Sequence, residues 1–177
     1  VLATNTSALS VTAIAEATAC PERILGLHFF NPAPVMRLVE VVTTVAVDPG
    51  VVDRAMRLMA AWGKTPVRCS DSPGFIVNRV NRPFTIEALR VLEAGEADVP
   101  TIDGAMRAAG FAMGPFELLD LIGMDTQLLL CEAMHGLTHE PRAACPPLVK
   151  RMIAAGHLGR KSGRGFHVYK DMKIFGA

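Results

Sequence analysis

One stretch decides how this chain folds: residues 24–32, which read ILGLHFFNP. Its apolar half predicts a buried strand that carries a histidine, His28, near its end, and the Asn-Pro pair favours a turn. A second apolar run, Leu38–Val42, contains a single acid, Glu40. A lone acid among Val and Leu is costly to bury unless a partner group pairs with it. If the chain doubles back at the turn, the two runs lie side by side and Glu40 meets His28.

This pair admits two interpretations. A carboxylate on one ring nitrogen of His28 fixes the tautomer and leaves the other nitrogen free to act as a base. Most such pairs, however, are structural, so a satisfied core histidine and an acid at a strand end are the alternative. Whether the role of the pair is catalytic or structural therefore has to be inferred from the residues before and after it.

The preceding segment places a second polar group near His28. A strand ends at Ala3, a polar turn of Asn5-Thr6-Ser7 follows, and Ser10 is placed to cap a helix. Ser7 and His28 thus both lie at the carboxyl ends of predicted strands. Ligands bind just beyond such ends in open α/β sheets, and this placement favours a site over a core.

The rest of the chain divides into two parts. Asp48-Pro49 begins a helix, and the segment 65–69 is predicted as a short edge strand that tolerates a proline. From Asp71 onward the pattern is helical, beginning with a long helix over 73–94 that carries Asn78. We expect its apolar side to comprise Ile76, Val80, Ile86, Leu89 and Leu92. The expected domains are residues 1–70 and 71–177.

Composition excludes several classes of protein. The net charge of +1 gives no reason to expect nucleic acid or a membrane surface as partner, and no apolar run approaches the ~20 residues of a membrane span. We find no signal peptide and no metal-ligand spacing, so a cytoplasmic protein without a metal is expected. The cysteines form no CxxC pair and are interpreted as reduced thiols. They are Cys20, Cys69, Cys131 and Cys145.

Three motifs together resemble the L-3-hydroxyacyl-CoA dehydrogenase family over essentially the whole chain. They are ATNTS at 3–7, GLHFFNP at 26–32 and DSPGFIVNR at 71–79. Their polar residues stand at the family's spacing: 28 − 7 = 21, 40 − 28 = 12 and 78 − 28 = 50 residues. The family opens with a strand and a GxGxxG turn that hold the dinucleotide, and this sequence contains neither. It therefore looks like the C-terminal portion of such an enzyme.

The resemblance implies a fold and an activity. The fold would be an α/β remnant of a Rossmann-type sheet, followed by an all-α dimerisation domain like the C-terminal domain of 6-phosphogluconate dehydrogenase. The activity would be NAD-dependent oxidation of an L-3-hydroxyacyl-CoA in fatty-acid or related β-oxidation. His28 would be the general base and Glu40 would orient it, while Ser7 and Asn78 would hydrogen-bond the reacting oxygen. The protein would be a homodimer with an acyl-CoA substrate.

The same resemblance assigns cofactor contacts to Ser7, Asn31 and Lys161. A basic side chain in a glycine-rich loop suits a phosphate-bearing ligand, although a solvated loop explains Lys161 equally well. Asn31 is otherwise a turn residue before a proline. Ser7 is otherwise part of a helix-leading turn, and Asn78 an exposed polar residue of a helix. The tail departs from the family at His167, where an aromatic residue is common.

Two alternatives to this activity remain open at this point. The chain could be a non-catalytic helical dimerisation module that keeps the family's sequence. It could also belong to a related dehydrogenase that oxidises a free hydroxy acid or sugar acid. Because the usual glycine turn is absent, we further expect the 177-residue chain to have no NAD affinity of its own and to be catalytically silent alone.

Overall fold

The computed structural model describes residues 1–7, 9–171 and 173–174, with Lys173 described by its backbone only. The strands are β1 (Leu2–Thr4), β2 (Ile24–Phe29), β3 (Leu38–Thr43), β4 (Thr65–Ser70), β5 (Tyr169–Lys170) and β6 (Lys173–Ile174). The helices are α1 (Val11–Glu16), α2 (Pro49–Ala61), α3 (Val77–Glu93), α4 (Val99–Ala108), α5 (Pro115–Ile122), α6 (Met124–Thr138) and α7 (Pro147–Ala154). The described chain forms two compact units, Val1–Arg79 and Val80–Ala177, so the division falls inside α3.

The first unit is built on a mixed four-stranded sheet in the order β1-β2-β3-β4. The outer pairs β1–β2 and β3–β4 are parallel, whereas β2 and β3 are antiparallel because the chain doubles back after Asn31. The register sets His28 directly opposite Glu40. The return of the chain at the Asn-Pro turn, predicted from the sequence, is therefore confirmed.

Apolar residues cover both faces of this sheet. Helix α2 packs on one face, and Asp48 caps it by accepting the Gly50 N–H at 2.7 Å, as predicted. This cluster contains Leu25, Leu27, Val39, Val41, Val52, Ala55 and Met59. On the other face α1 approaches the sheet so closely that a Cβ on Gly26 would lie 3.1 Å from Val11 Cγ2, and the same Cβ would lie 2.8 Å from the Cβ of Val42 in the neighbouring strand β3. Only a glycine allows this approach of helix and strand.

Helix α3 begins at Val77, four residues later than Pro73, where the sequence pattern placed its start. The expected apolar side is therefore wrong in its first turn: Ile76 is 40% exposed and Val80 is 72% exposed. The buried residue here is Phe75, which is 3% exposed and has a left-handed backbone with φ 49°. Beyond the first turn the pattern is confirmed, since Ile86 and Leu89 are buried and Leu92 packs against the helical core.

The second unit is helical except for its last residues. Its core includes Ala88, Leu89, Phe116, Leu119, Met124 and Val149. Asp98 caps α4 through the Thr101 N–H, and the Gly114-Pro115 pair begins α5. Among the described residues no helix is both long enough and apolar enough to cross a bilayer.

Two buried acids, Asp103 of α4 and Asp120 of α5, form hydrogen bonds with residues 166–169 near the end of the described chain. Asp120 accepts the backbone N–H groups of Phe166 and His167 and the hydroxyl of Tyr169. Asp103, which is 1% exposed, accepts a hydrogen bond from the His167 ring at 2.8 Å. His167 therefore replaces the family's aromatic residue with a polar contact to α4.

Candidate active site

His28 and Glu40 form a buried pair across β2 and β3. The His28 Nδ1–H donates to the Glu40 Oε2 at 2.6 Å, and the two residues are 5% and 1% exposed. With Nδ1 protonated, the neutral ring presents the Nε2 lone pair on its other side. There the Ser7 hydroxyl donates to Nε2 at 3.0 Å. The ring is thus oriented by an acid on one side and meets a hydroxyl on the other.

The second oxygen of Glu40 caps the N-terminus of helix α3. Oε1 accepts the backbone N–H groups of Ile76 and Val77, each at 2.9 Å. Burial pushes the pKa of Glu40 upward, but the hydrogen bonds from His28, Val77 and Ile76 outweigh burial and hold the pKa below its usual value. A carboxylate at a helix N-terminus is also favoured by the helix dipole. Glu40 is therefore ionised at neutral pH, and it links the orientation of His28 to the start of α3.

Asn78 follows directly from this helix start. It lies in the first turn of α3, and its side-chain Nδ2–H donates to the Ser7 carbonyl oxygen at 3.4 Å. Asn78 belongs to the first compact unit, Val1–Arg79, together with Ser7, His28 and Glu40. The structure therefore brings Ser7, His28, Glu40 and Asn78 together in one unit, although the sequence pattern assigned Asn78 to the helical part.

Two residues that sequence reasoning missed hold the Ser7 segment in place. Asn5 Oδ1 accepts the Phe29 N–H at 2.9 Å. Asp71 accepts the Thr12 N–H at 2.7 Å, the Val11 N–H at 3.1 Å and the Ser10 hydroxyl at 2.9 Å, so it caps α1 from outside the helix. Burial would raise the pKa of Asp71, but these hydrogen bonds, led by that from the Thr12 N–H, lower it. The only signal in the sequence was an acid directly before the SPGF motif.

The two remaining cofactor candidates differ in their contacts. Asn31 is exposed just beyond β2, in the turn that reverses the chain, and its peptide bond to Pro32 is cis. Lys161 lies in the second compact unit, where its ammonium contacts both carboxylate oxygens of Asp125 at 2.5 and 2.6 Å. The hydrogen bond from Lys161 is the main reason why the pKa of Asp125 lies below its usual value. Among the described residues, no cluster of His, Cys, Asp or Glu could hold a metal ion.

This arrangement can move a proton. A neutral imidazole held by a carboxylate takes a proton from any hydroxyl within hydrogen-bond reach of its free nitrogen. Phe30 and Phe75 flank the His28 ring at centroid distances of 4.7 and 5.5 Å, so its surroundings are apolar. The order serine, histidine and carboxylate also occurs in hydrolases, where the serine is the nucleophile. Geometry alone therefore leaves two chemistries, and comparison with known proteins separates them.

Two family models match consecutive parts of the chain. The model described as "3-hydroxyacyl-CoA dehydrogenase, NAD binding domain" matches residues 1–72, and the one described as "3-hydroxyacyl-CoA dehydrogenase, C-terminal domain" matches residues 74–169. The chain belongs to the 3-hydroxyacyl-CoA dehydrogenase family. The resemblance predicted from the three sequence motifs is thereby confirmed.

Curated relatives carry the same description. The chain is 49% identical to 3-hydroxyadipyl-CoA dehydrogenase of Escherichia coli K12, a match that covers 96% of this chain and 36% of the relative. It is 46% identical to a 3-hydroxybutyryl-CoA dehydrogenase of Mycobacterium tuberculosis, covering 96% and 60%. It is 44% identical to the mitochondrial hydroxyacyl-coenzyme A dehydrogenase of Homo sapiens, covering 96% and 55%. The chain thus spans between 36% and 60% of the length of these relatives.

Solved structures confirm the fold. The crystal structure of M. tuberculosis FadB2 matches with a TM-score of 0.93 at 46% identity, over 96% of this chain and 60% of that one. The (S)-3-hydroxybutyryl-CoA dehydrogenase PaaH1 from Ralstonia eutropha also matches with a TM-score of 0.93, at 39% identity over 97% and 61%. The Rossmann-like mixed sheet followed by a helical unit is therefore the fold of this family.

Proposed function

We propose that the protein to which this chain belongs oxidises the 3-hydroxyl of an L-3-hydroxyacyl-CoA to a ketone, with NAD as the hydride acceptor. The observation that carries the proposal is the chain of contacts from Glu40 through His28 to the Ser7 hydroxyl, with Asn78 beside Ser7. The names of the curated relatives support the substrate class. The pathway would be fatty-acid β-oxidation or a related breakdown of acyl-CoA.

His28 is the general base of this reaction. Its Nε2 lone pair takes the proton of the substrate hydroxyl, and the ionised Glu40 stabilises the imidazolium that results. The Ser7 hydroxyl, which donates to Nε2 in the free chain, turns to the substrate oxygen when the substrate binds. The Asn78 amide is a second donor to that oxygen. Together they hold the hydroxyl within reach of the base.

The residues present fit a nicotinamide cofactor. Ser7 and Asn31 are exposed and follow the carboxyl ends of β1 and β2, the edge at which dinucleotides bind in Rossmann-type sheets. When bound, NAD supplies the acceptor for the hydride that leaves the substrate carbon. Ser7 and Asn31 would contact it from the sheet. The cofactor contact of Lys161, whose ammonium pairs with Asp125 in this structure, stays a prediction from the family resemblance.

The architecture also supports a description of the two units that is finer than membership of the family. The sheet would be the last part of a Rossmann domain, and the helical unit a dimerisation domain like the C-terminal domain of 6-phosphogluconate dehydrogenase. Homodimerisation through that unit, the cytoplasmic location and the lack of activity of the 177-residue chain alone stay predictions. The alternative of a dimerisation module without activity has less support. Its site residues, Ser7, His28, Glu40 and Asn78, are present and hydrogen-bonded to one another. A dehydrogenase of free hydroxy acids has no relative among those named above.

Turnover of acetoacetyl-CoA with NADH by the protein that contains this chain tests the proposal. We compare the wild type with His28→Ala, and use His139→Asn as the matched control because His139 is exposed and asparagine tolerates its left-handed backbone, φ 53°. Loss of a general base predicts a fall in kcat of about 10²–10⁴, with the control unchanged. Activity on a free hydroxy acid but not on the CoA ester would contradict the proposal, as would full activity of His28→Ala.

A further inference from the structure

The turn between β2 and β3, residues 32–36, exposes most of its surface. Val35 and Met36 are 72% and 41% exposed, and Pro32 and Pro34 are exposed as well. Inside the turn, the Val35 and Met36 N–H groups donate to the Pro32 carbonyl oxygen, each at 3.0 Å. Because so little apolar surface is buried here, packing contributes little to the conformation of the turn. Polar contacts must therefore hold it.

The Lys64 ammonium supplies these contacts. Its Nζ donates to the carbonyl oxygens of Ala33 at 2.5 Å, Met36 at 2.9 Å and Pro34 at 3.4 Å. An ammonium carries three N–H donors, so each donor has one acceptor in the turn. No ion pair within the described part of the chain includes Lys64. The carbonyl dipoles of this one turn therefore compensate the positive charge, as the last carbonyls of a helix do for a nearby lysine.

The backbone around Lys64 is itself anchored in the sheet unit. The Lys64 N–H donates at 3.0 Å to the carbonyl oxygen of Met59, a fully buried residue of α2. The next residue, Thr65, donates its N–H to the Arg37 carbonyl oxygen at 2.8 Å and lies opposite Leu38 in the register of β3 and β4. Lys64 thus connects the exposed turn to the end of α2 and to the start of β4.

The turn follows the candidate site directly along the chain. Phe30 contacts the His28 ring edge-on at a centroid distance of 4.7 Å, and Asn31 is the last residue before the turn. His28 does not depend on the turn for its orientation, because Glu40 and Ser7 are hydrogen-bonded to its two ring nitrogens. Asn31 is exposed, so its position depends on the turn that follows it.

We propose that Lys64 is a positioning residue of the dehydrogenase: its ammonium fixes the 32–36 turn and thereby holds Asn31 at the carboxyl end of β2, where the cofactor binds. This role rests on the proposed function, in which Asn31 contacts NAD. Lys64 does not bind the cofactor itself, because the turn uses all three of its donors. Its effect on the reaction is therefore transmitted through Asn31.

A double-mutant cycle on the protein that contains this chain tests this role through the KM for NADH. Lys64→Met keeps most of the length of the side chain but leaves the three carbonyls without the ammonium. We expect the KM to rise about tenfold, the effect of one lost hydrogen bond in the complex, with little change in kcat because His28 keeps its partners. In Asn31→Ala, which already lacks the cofactor contact, Lys64→Met should raise the KM no further.

Lys150→Met is the matched control, since it removes an exposed lysine of the helical unit whose partner is Glu132, and it should keep the wild-type KM. Lys64→Arg keeps a cation with several donors, so its KM should lie closer to the wild type than that of Lys64→Met. An unchanged KM in Lys64→Met, or additive effects of Lys64→Met and Asn31→Ala, would overturn the proposal. So would an arginine variant as impaired as the methionine variant.

Hydrogen exchange, measured by mass spectrometry on the same protein, needs no turnover. In Lys64→Met the amides of residues 33–37 should exchange several-fold faster, while those of β3 keep their wild-type rates. Unchanged exchange of the turn, or equal acceleration throughout the sheet unit, would overturn the positioning role. A wild type without turnover would refute the proposed function instead, and exchange would still decide whether Lys64 fixes the turn. If Lys64→Met does not fold, the uncharged and shorter Lys64→Gln replaces it in both experiments.

Discussion

The Glu40 carboxylate accepts a hydrogen bond from the His28 ring with one oxygen and caps the N-terminus of helix α3 with the other. Oε2 accepts from His28 Nδ1 at 2.6 Å, while Oε1 accepts the Ile76 and Val77 N–H groups at 2.9 Å. One side chain therefore fixes both the tautomer of the proposed base and the place at which the helix of Asn78 starts.

Glu40→Gln should impair catalysis more than substrate binding. The amide keeps the shape but removes the charge that stabilises the imidazolium, and it can present an N–H to the ring. By analogy with the triad acid, we expect kcat to fall by up to about 10⁴ while KM changes little. Steady-state kinetics on the protein that contains this chain measure both constants. A variant that raises KM and keeps kcat would contradict the orienting role.

Stability should decline in acid through Glu40 and Asp71. Both pKa values lie below their usual values of 4.5 and 3.8, because hydrogen bonds to the charged forms outweigh burial. A carboxyl whose folded pKa is below its unfolded pKa stabilises the fold above the unfolded value, and this contribution is lost as the pH falls through the folded pKa. Urea denaturation below a pH of about 4.5 should therefore show falling stability.

The same titration identifies the groups responsible for the acid loss. Glu40→Gln and Asp71→Asn should each flatten the dependence of unfolding free energy on pH, because each removes one titrating group. Glu16→Gln is the matched control, since Glu16 is an exposed acid at the end of α1. Identical slopes for all four proteins would refute the assignment.

Asp71→Asn should lower both stability and activity. Asparagine keeps one acceptor for the N-terminus of α1, so a loss of about 0.5–2 kcal/mol is expected, as for a helix cap. Because the α1 start anchors the Ser7 segment, kcat should fall as well. Asp48→Asn is the control, since Asp48 caps α2 without any contact to Ser7 or His28. If both variants lose stability equally and neither loses kcat, Asp71 has no positioning role.

Gly26→Ala should destabilise the sheet unit. The added Cβ would lie 2.8 Å from the Val42 Cβ and 3.1 Å from Val11 Cγ2, and both are buried, so we expect a cost of about 1–3 kcal/mol from overpacking. Gly136→Ala in α6 is the opposite case, because nothing lies within 4 Å of its added Cβ and alanine favours the helix by roughly 0.5–1 kcal/mol. In thermal unfolding, the midpoint temperature should fall for Gly26→Ala and rise for Gly136→Ala.

Lys161→Met tests the cofactor contact proposed for this lysine. If Lys161 reaches NAD, the variant should raise KM for NADH several-fold with little change in kcat. Asp125→Asn is the matched control, because it removes the carboxylate of the ion pair but leaves the lysine available. Both side chains are about half exposed, at 47% and 45%, so neither change should alter stability by more than about 1 kcal/mol. An equal effect of both variants on KM would assign Lys161 a structural role only.

The sequence predicted the local features correctly because they depend on short-range rules. The strand at 24–29, the turn at Asn31 and the caps Ser10 and Asp48 each follow from neighbouring residues. The sequence patterns were wrong for the first turn of α3. There, hydrogen bonds to Glu40, 36 and 37 residues earlier in the chain, determine where the helix starts. The apolar periodicity of the local sequence contains no information about these distant hydrogen bonds.

The sequence by itself determined the family, the His28–Glu40 pair and the polar residues of the candidate site, because motif spacing and one chain reversal suffice for these. Only the tertiary structure decided which distant groups support that site. It brought Asp71 to the start of α1 across 59 to 61 residues, and it brought the Ile76 and Val77 N–H groups to Glu40 across 36 and 37 residues. Burial makes such contacts strong, because a charge removed from water must find its partner wherever the fold places one.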